Sequence, residues 1–303
     1  MFVGFDTSNY TTSAAELTDS GAVHHKIMLA VKDGERGLRQ SDAVFQHTVN
    51  MPKLLEDMDF ESVNAVGVSD RPRNVEGSYM PCFLVGVNTA TAVAKACGVN
   101  LYRTSHQVGH ILAALYSADK LNWINGRFIA FHLSGGTTEA LLVTPDKNEI
   151  IIAEIIAESL DLKAGQAIDR AGVMMGHKFP CGKMLDKLAA QSDKEYKINP
   201  SMKGLNCSLS GVENKAKTMI DSGESNEDVS KFVLTCITNT IDTMLSGIQS
   251  EYGNLPVIFS GGVSSNSMLR ERMINKYGAS FAEPSFSLDN AAGTAIFAKL
   301  KSE

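Results

Sequence analysis

Two histidines four residues apart are the first chemical signal in this chain. His106 and His110, in Ser105-His106-Gln107-Val108-Gly109-His110, fall at i and i+4 of a helix predicted over 105–118. Both imidazoles therefore project from one helical face. Two neutral imidazoles at that spacing suit a borderline divalent ion such as Zn2+ or Fe2+. No glutamate stands between them, so the general base of an H-E-x-x-H metalloprotease is missing. The spacing also arises without any metal, and the pair taken alone favours that reading. A metal needs a third ligand. Asp289, in Ser287-Leu288-Asp289-Asn290, is a candidate; its alternative role is to cap the last helix.

Two glycine turns offer a different chemistry. Ser134-Gly135-Gly136-Thr137-Thr138 forms a turn between two apolar runs, and Ser260-Gly261-Gly262-Val263-Ser264-Ser265-Asn266 follows a buried strand and opens a helix. Glycines let backbone approach a ligand closely, and N–H groups at a helix start can hold phosphate oxygens. Asn266 could equally cap its helix. One such turn is weak; two, each at a strand end, point to a nucleotide site. Asp169, in Ala164-Gly165-Gln166-Ala167-Ile168-Asp169-Arg170, could accept from a ribose or substrate hydroxyl, or simply favour the positive end of its helix. Gly182 could let backbone meet a sugar, or begin the next helix. Asp6, at the end of the first strand, could orient a water or phosphate, or close a strand-end turn.

The elements that must position these residues show an internal echo. Residues 2–17 (FVGFDTSNYTTSAAEL) and 128–143 (FIAFHLSGGTTEALLV) align without gaps and share Phe2/Phe128, Phe5/Phe131, Ser8/Ser134, Thr11/Thr137, Thr12/Thr138 and Ala14/Ala140. Each reads as a β-hairpin. The first is followed by a strand near 22–30, a helix near 40–58, a strand at 64–69, a helix near 82–97 and a strand at 100–103. The second is followed by a strand near 149–157, helices near 165–175, 181–191 and 228–251, the strand 256–260 and a helix near 265–276. This describes an α/β unit given twice. The expected division is a first lobe over 1–122, joined by a C-terminal helix within 288–303, and a second over 123–287, with a ligand cleft between them.

Composition narrows the setting. The chain has 303 residues, 44% apolar and 20% charged, which fits a globular protein and excludes a disordered or fibrous one. No run approaches the roughly 18 apolar residues of a membrane helix. The N-terminal residues lack a signal-peptide pattern, so a cytoplasmic protein without membrane contact is expected. Net charge is −6, from 28 basic and 34 acidic residues. An RNA-binding role then requires lysines gathered in one patch, or a partner that supplies charge. The five cysteines are scattered and form no C-x-x-C pair, so they read as thiols. Arg71-Pro72-Arg73 reads as a solvated loop, with phosphate contact as its other reading; His47 reads as core packing, and His24-His25 has no assignment.

The motifs FDTS, SHQVGH, FHLSGGTTE, AGQAIDRAG, GLNCSLSG, FSGGVSSN and SLDNAAG occur in an order and spacing that resembles the TsaD family, the tRNA threonylcarbamoyladenosine transferases once described as glycoproteases. The resemblance spans essentially the whole chain. It implies a duplicated actin/Hsp70/sugar-kinase fold, with two RNase H-like lobes. It implies ATP or a threonylcarbamoyl-adenylate as bound nucleotide, with Mg2+ an option beside it, and one divalent metal, Fe2+ or Zn2+. It also implies tRNA as acceptor, reached with TsaB-like and TsaE-like partner proteins; homo- or hetero-oligomers are both open. By position, His106, His110 and Asp289 match the metal ligands. Ser134, Gly135, Gly136, Thr137, Thr138, Asp169, Gly182 and Asn266 match nucleotide and substrate contacts, with Gly261 and Gly262 beside them.

The chain also departs from the family pattern, as a divergent paralogue would. Tyr10 and Thr11 stand where adjacent acids are expected, and Thr137 replaces a histidine. Residues 69–77 replace a Gly-Pro-Gly loop, and Asn206 replaces an aspartate. The expected activity is transfer of a threonylcarbamoyl or related carbamoyl group from an adenylate to tRNA adenosine, with Asp6 and Asp169 as candidate catalytic acids. The alternatives are a non-catalytic nucleotide-binding scaffold, or an ATPase or small-metabolite kinase of the same fold.

Overall fold

The computed structural model describes residues 1–8, 10–31, 38–287 and 289–303. Asn9 of the first hairpin turn and Leu288, the first residue of the expected terminal helix segment, lie outside the described residues. The chain divides into two compact units. One comprises Met1–Asn125, Thr144–Ala153 and Ser285–Glu303; the other comprises Gly126–Val143 and Glu154–Pro284. Thr144–Ala153 joins the first unit, where a single cut near residue 122 would not put it. Its Glu149 accepts from Arg71 at 3.0 Å, and Asn148 O accepts from Lys301 at 3.0 Å.

The first 117 residues run β1 (Phe2–Asp6), β2 (Thr11–Thr18), β3 (Gly21–Met28), α1 (Gln40–Leu55), β4 (Ala65–Arg71), α2 (Phe83–Cys97), β5 (Asn100–Ser105) and α3 (His106–Ser117). A short 3-10 turn, Leu121–Asn125, follows. Then come β6 (Phe128–Leu133), β7 (Thr138–Asp146), β8 (Ile150–Glu158), α4 (Ala164–Met174), α5 (Gly182–Ala189), β9 (Ser201–Lys203), β10 (Asn206–Ser208), α6 (Ser210–Asp221) and α7 (Asn226–Tyr252). The chain ends with β11 (Val257–Ser260), α8 (Ser267–Tyr277), β12 (Ser280–Phe281), α9 (Pro284–Ser287) and α10 (Ala292–Ser302).

The echo in sequence is an echo in topology. One five-stranded sheet has the order β3-β2-β1-β4-β5, and the other, read from β8, has the order β8-β7-β6-β11-β12. In both, the first hairpin is antiparallel and the central strand then pairs in parallel with the next, β1 with β4 and β6 with β11. Parallel pairs need a long crossover, which the intervening helices supply. Four elements were not foreseen: α6, the β9–β10 ribbon, β12 and α9. The three strands are only two or three residues long, too short for an alternation pattern to register.

In the first unit the sheet is covered on both faces, which explains the near-continuous apolar run of β1. Val3 and Phe5 pack with Met51 and Leu54 of α1 and Ala90 and Ala94 of α2. The other face meets α10, which also packs on β4 and α3. There the backbones nearly touch. A Cβ on Gly67 would lie 1.9 Å from Thr294 O, and one on Gly293 would lie 1.8 Å from Gly109 O. Glycine is required at these positions by space rather than by dihedral angle. In the second unit, parallel register stacks Phe131, Phe259 and Phe281 across β6, β11 and β12, with centroids 4.8 and 4.9 Å apart. Such offset aromatic neighbours add to plain area burial.

The crossing of α10 over α3 sets the first prediction. Gly293→Ala forces a methyl into the Gly109 carbonyl, an overpacking of about 1–3 kcal/mol. Thermal unfolding followed by circular dichroism is expected to shift down by several degrees. Gly182→Ala, where nothing lies within 4 Å of the added atom, leaves the transition in place.

Candidate metal and nucleotide sites

The metal-type residues of the first unit come together. β5 ends at Ser105, whose hydroxyl accepts from Val108 N–H at 3.2 Å and so caps α3. The next amide, Gln107 N–H, donates to Pro72 O at 3.0 Å. With its first turn anchored at two points, α3 presents His106 and His110 as an edge-to-face pair with ring centroids 4.3 Å apart. Asp289 reaches them from the segment before α10. Its Oδ1 lies 3.3 Å from His110 Nε2 and 3.8 Å from His106 Nε2. Thr11 Oγ1 donates to the other oxygen, at 3.5 Å. Asp289 does not cap α10: the N-cap position is Ala291, Asn290 Oδ1 accepts from Ala292 N–H at 3.0 Å, and Asp289 faces the histidines.

Asp6 stands behind this trio. It is buried, and both oxygens are engaged. Oδ1 accepts from Ser8 N–H at 2.8 Å, closing a turn; Oδ2 accepts from Ser69 Oγ–H at 2.6 Å and faces His106 Nδ1 at 2.8 Å. Asp6 thereby closes the turn at Ser8 and holds the His106 ring through Nδ1. Ser69 was not foreseen, although its place at the C-terminal end of a parallel strand is where ligand-side groups collect. Burial by itself raises the Asp6 carboxyl, but the His106 charge and the hydrogen bonds from His106, Ser69 and Ser8 hold it well below the usual carboxylate range. Burial likewise lowers His106, and the Asp6 charge and hydrogen bond, with Asp289, lift it above the usual imidazole range. Burial also raises Asp289, and the hydrogen bond from His110 and the charges of both histidines bring it down.

Among the described residues, His106, His110 and Asp289 form a group whose ligand atoms lie within 4.8 Å of one another. Two imidazole nitrogens and a carboxylate oxygen are a donor set for Zn2+ or Fe2+. Metal-binding histidines characteristically donate their other ring N–H to a carboxylate, and Asp6 is in that position for His106. The residues therefore fit a divalent ion.

The glycine turns of the second unit are more self-contained. Ser134 Oγ accepts from Gly136 N–H at 3.3 Å and Thr137 N–H at 3.1 Å, so these amides close their own turn. Thr138 is buried; its hydroxyl donates to Thr137 O and accepts from Ala164 N–H at 2.8 Å. Gly165 N–H donates to Ser134 O, and a Cβ on Gly165 would lie 2.6 Å from Gly135 N, so the start of α4 seats directly under this turn. Gly261 has φ +90° and packs against Leu133 O, while Gly135, Gly136, Gly182 and Gly262 face open space. Asn266 is a cap: Oδ1 accepts from Leu269 N–H at 2.9 Å, and Nδ2 donates to Asp186 at 2.7 Å. A short 3-10 turn, Gly262–Ser265, separates the glycines from α8, where a helix start was expected. Asp169 accepts from Cys181 N–H at 2.7 Å; burial raises its carboxyl, and that bond partly offsets the rise.

Other sequence signals resolve into structure. His47 is fully buried and its Nδ1 pairs with Thr12 Oγ1 at 2.9 Å. Arg71, expected in a solvated loop, pairs with Asp70 and Glu149. All five cysteines are free thiols, and no described helix is long and apolar enough to cross a membrane.

The paired sheets of β-β-β-α-β-α-β type define the actin/Hsp70/sugar-kinase class. Solved structures of that class agree. The (R)-2-hydroxyglutaryl-CoA dehydratase component A of Acidaminococcus fermentans matches with a TM-score of 0.57 at 16% identity, over 99% of this chain and 98% of that one. A full-length HypF in its phosphate- and nucleotide-bound form matches at 0.58 and 14% identity, over 98% of this chain and 46% of that one. At these identities the likeness is one of fold. Sequence goes further. The pattern of TsaD, tRNA N6-adenosine threonylcarbamoyltransferase, matches residues 42–296, and the chain belongs to that family. A tRNA N6-adenosine threonylcarbamoyltransferase of Campylobacter fetus is 31% identical over 264 residues, covering 81% of this chain and 74% of its own length. One from Neorickettsia sennetsu is 27% identical over 287 residues, covering 90% and 83%.

The Asp6–His106 contact carries the second prediction. Asp6→Asn keeps the shape but removes the charge that orients the imidazole. Zn2+ affinity, read by competition with a chromophoric chelator, is expected to fall about 10- to 100-fold. Unchanged affinity would show that Asp6 serves the turn alone.

Proposed function

We propose that this chain transfers a threonylcarbamoyl or closely related carbamoyl group from an adenylate to a tRNA adenosine, with one divalent ion held by His106, His110 and Asp289. The observation that carries the reading is the His-His-Asp cluster, backed by Asp6, in a chain of the TsaD family. A divalent ion there would supply Lewis acidity, polarising a carbonyl oxygen and orienting the group that bears it.

The chain's own residues supply the rest. Asp6 fixes the His106 ring through Nδ1, so Nε2 is the atom turned to the ligand side. Asp289 Oδ1, 3.3 Å from His110 Nε2, would be the oxygen donor of the set. In the second unit, the exposed backbone of Gly135, Gly136 and Gly262 offers close approach to an adenylate phosphate. The free oxygen of Asp169 and the open backbone at Gly182 offer acceptors and room for a ribose. Thr137 adds a hydroxyl at the same turn. Ser134, Thr138, Gly261 and Asn266 hold these turns in shape through the bonds and packing already described.

The direct trial combines purified protein, its TsaB-like and TsaE-like partners from the same source, threonylcarbamoyl-adenylate and unmodified tRNA, with nucleosides read by mass spectrometry. Threonylcarbamoyladenosine is the expected product, and His110→Ala is expected to abolish it while leaving the thermal transition within a few degrees. Elemental analysis of protein purified without added metal is expected to give about one ion per chain, lost in His106→Ala. If no partner combination yields modified adenosine, the tRNA reading fails.

A further inference from the structure

An acidic protein that handles RNA must gather its cations, and one segment does so. Between Gly176 and Leu188 stand Lys178, Lys183 and Lys187, and a single carboxylate, Asp186. Asp186 is occupied: it accepts from Asn266 Nδ2 at 2.7 Å and from Ser267 Oγ at 2.8 Å. All three lysines are exposed, and none makes an ion pair among the described residues. Other cations nearby are already committed. Arg170 pairs with Glu213 at 2.9 Å, and Lys163 donates to Ser159 O at 2.6 Å.

The placement is regular. On α5 the buried positions are Leu185 and Ala189. Lys183 and Lys187 lie two residues from Leu185 on either side, so they sit on the opposite face, one helical turn apart. Just before the helix, Phe179 is 73% exposed beside Lys178. Its loop is fixed at both ends. His177 N–H donates to Gly172 O at 3.0 Å, and Cys181 N–H donates to Asp169. The Cys181 side chain fills the space at Gly172, where a Cβ would lie 2.3 Å from Cys181 Cβ. An aromatic ring on an anchored loop, flanked by uncompensated ammonium groups, is a stacking platform with phosphate contacts on each side.

We propose that this α4–α5 corner is an RNA-contact surface, with Phe179 stacking on an unpaired base and Lys178, Lys183 and Lys187 neutralising neighbouring phosphates. The proposal rests on the tRNA reading above and names the part of the chain that meets the acceptor. RNA is favoured over an acidic protein because stacking uses the exposed ring face while the lysines meet the backbone, whereas an acidic peptide would leave the ring without a partner.

The experiment is fluorescence anisotropy of the full chain with labelled unmodified tRNA across a salt series. Each of Lys178→Ala, Lys183→Ala and Lys187→Ala is expected to weaken binding and to reduce the slope of log affinity against log salt by about one. Phe179→Ala is expected to weaken binding on the order of ten-fold with the slope unchanged, and Phe179→Trp to retain it. Thermal melts confirm that the variants fold. If wild type binds tRNA and all four alanine variants match it, the surface proposal is overturned, and the corner is left to an acidic protein partner. If wild type alone fails to bind tRNA at low salt, the surface proposal falls, and the tRNA reading is decided separately by the transfer assay with partners. Binding that depends on these residues without any modified adenosine in the transfer assay sustains the surface and overturns the activity.

Discussion

The first unit depends on how closely one helix can approach a sheet. The backbone of α10 rests on Gly67 at a distance that excludes a side chain, and Gly293 leaves on the helix itself the gap that the Gly109 carbonyl fills. Asp289 lies three residues before that helix begins. Where α10 settles therefore decides where this carboxylate goes, and the small-residue contact brings it to 3.3 Å from His110. The helix that carries the histidines is held in the same way, through Ser105 and Pro72 at its first turn. A metal-type cluster assembled from segments almost 180 positions apart follows from packing, with the ligands themselves contributing only the final distances.

Electrostatics then fixes the state of the cluster. A buried carboxylate is costly unless it is paired and hydrogen-bonded, and Asp6 meets both conditions with three donors. The cost of burying Asp6 is offset by Ser8 and Ser69 as well as by His106. The pair thus couples the end of β1 to the start of α3. Asp289 Oδ1 lies 3.8 Å from the other ring nitrogen, beyond hydrogen-bond distance. His106 therefore has one nitrogen committed, to Asp6, and one available.

The second unit treats the same topology differently. Its hairpin turn is closed by Ser134, and the turn is seated on the start of α4 through Gly165. The amides at Gly136 and Thr137 are spent internally, so what the turn offers outward is backbone with no side chain to obstruct it. Asn266 and Asp186 fix the start of α8 in a similar way. Two copies of one strand order have therefore been specialised by a few side chains: carboxylate and imidazole in one, hydroxyl and glycine in the other.

Much of this was legible in sequence because it is local. The i, i+4 histidines define one helical face wherever that helix sits, and the six identities between 2–17 and 128–143 mark the repeated strand–turn–strand unit from which each sheet starts. Covalent spacing alone determines such features. What sequence left open was every choice between a ligand and a cap. Asn266 became a cap and Asp289 did not, although both precede a helix, because the α10 contact carries Asp289 toward α3. Asp6 could have faced a ligand or closed a turn; it closes the turn through Ser8 N–H, and its second oxygen meets Ser69 and the His106 ring. Those outcomes depend on which backbone can approach which, a property of the packed chain that residue order does not contain.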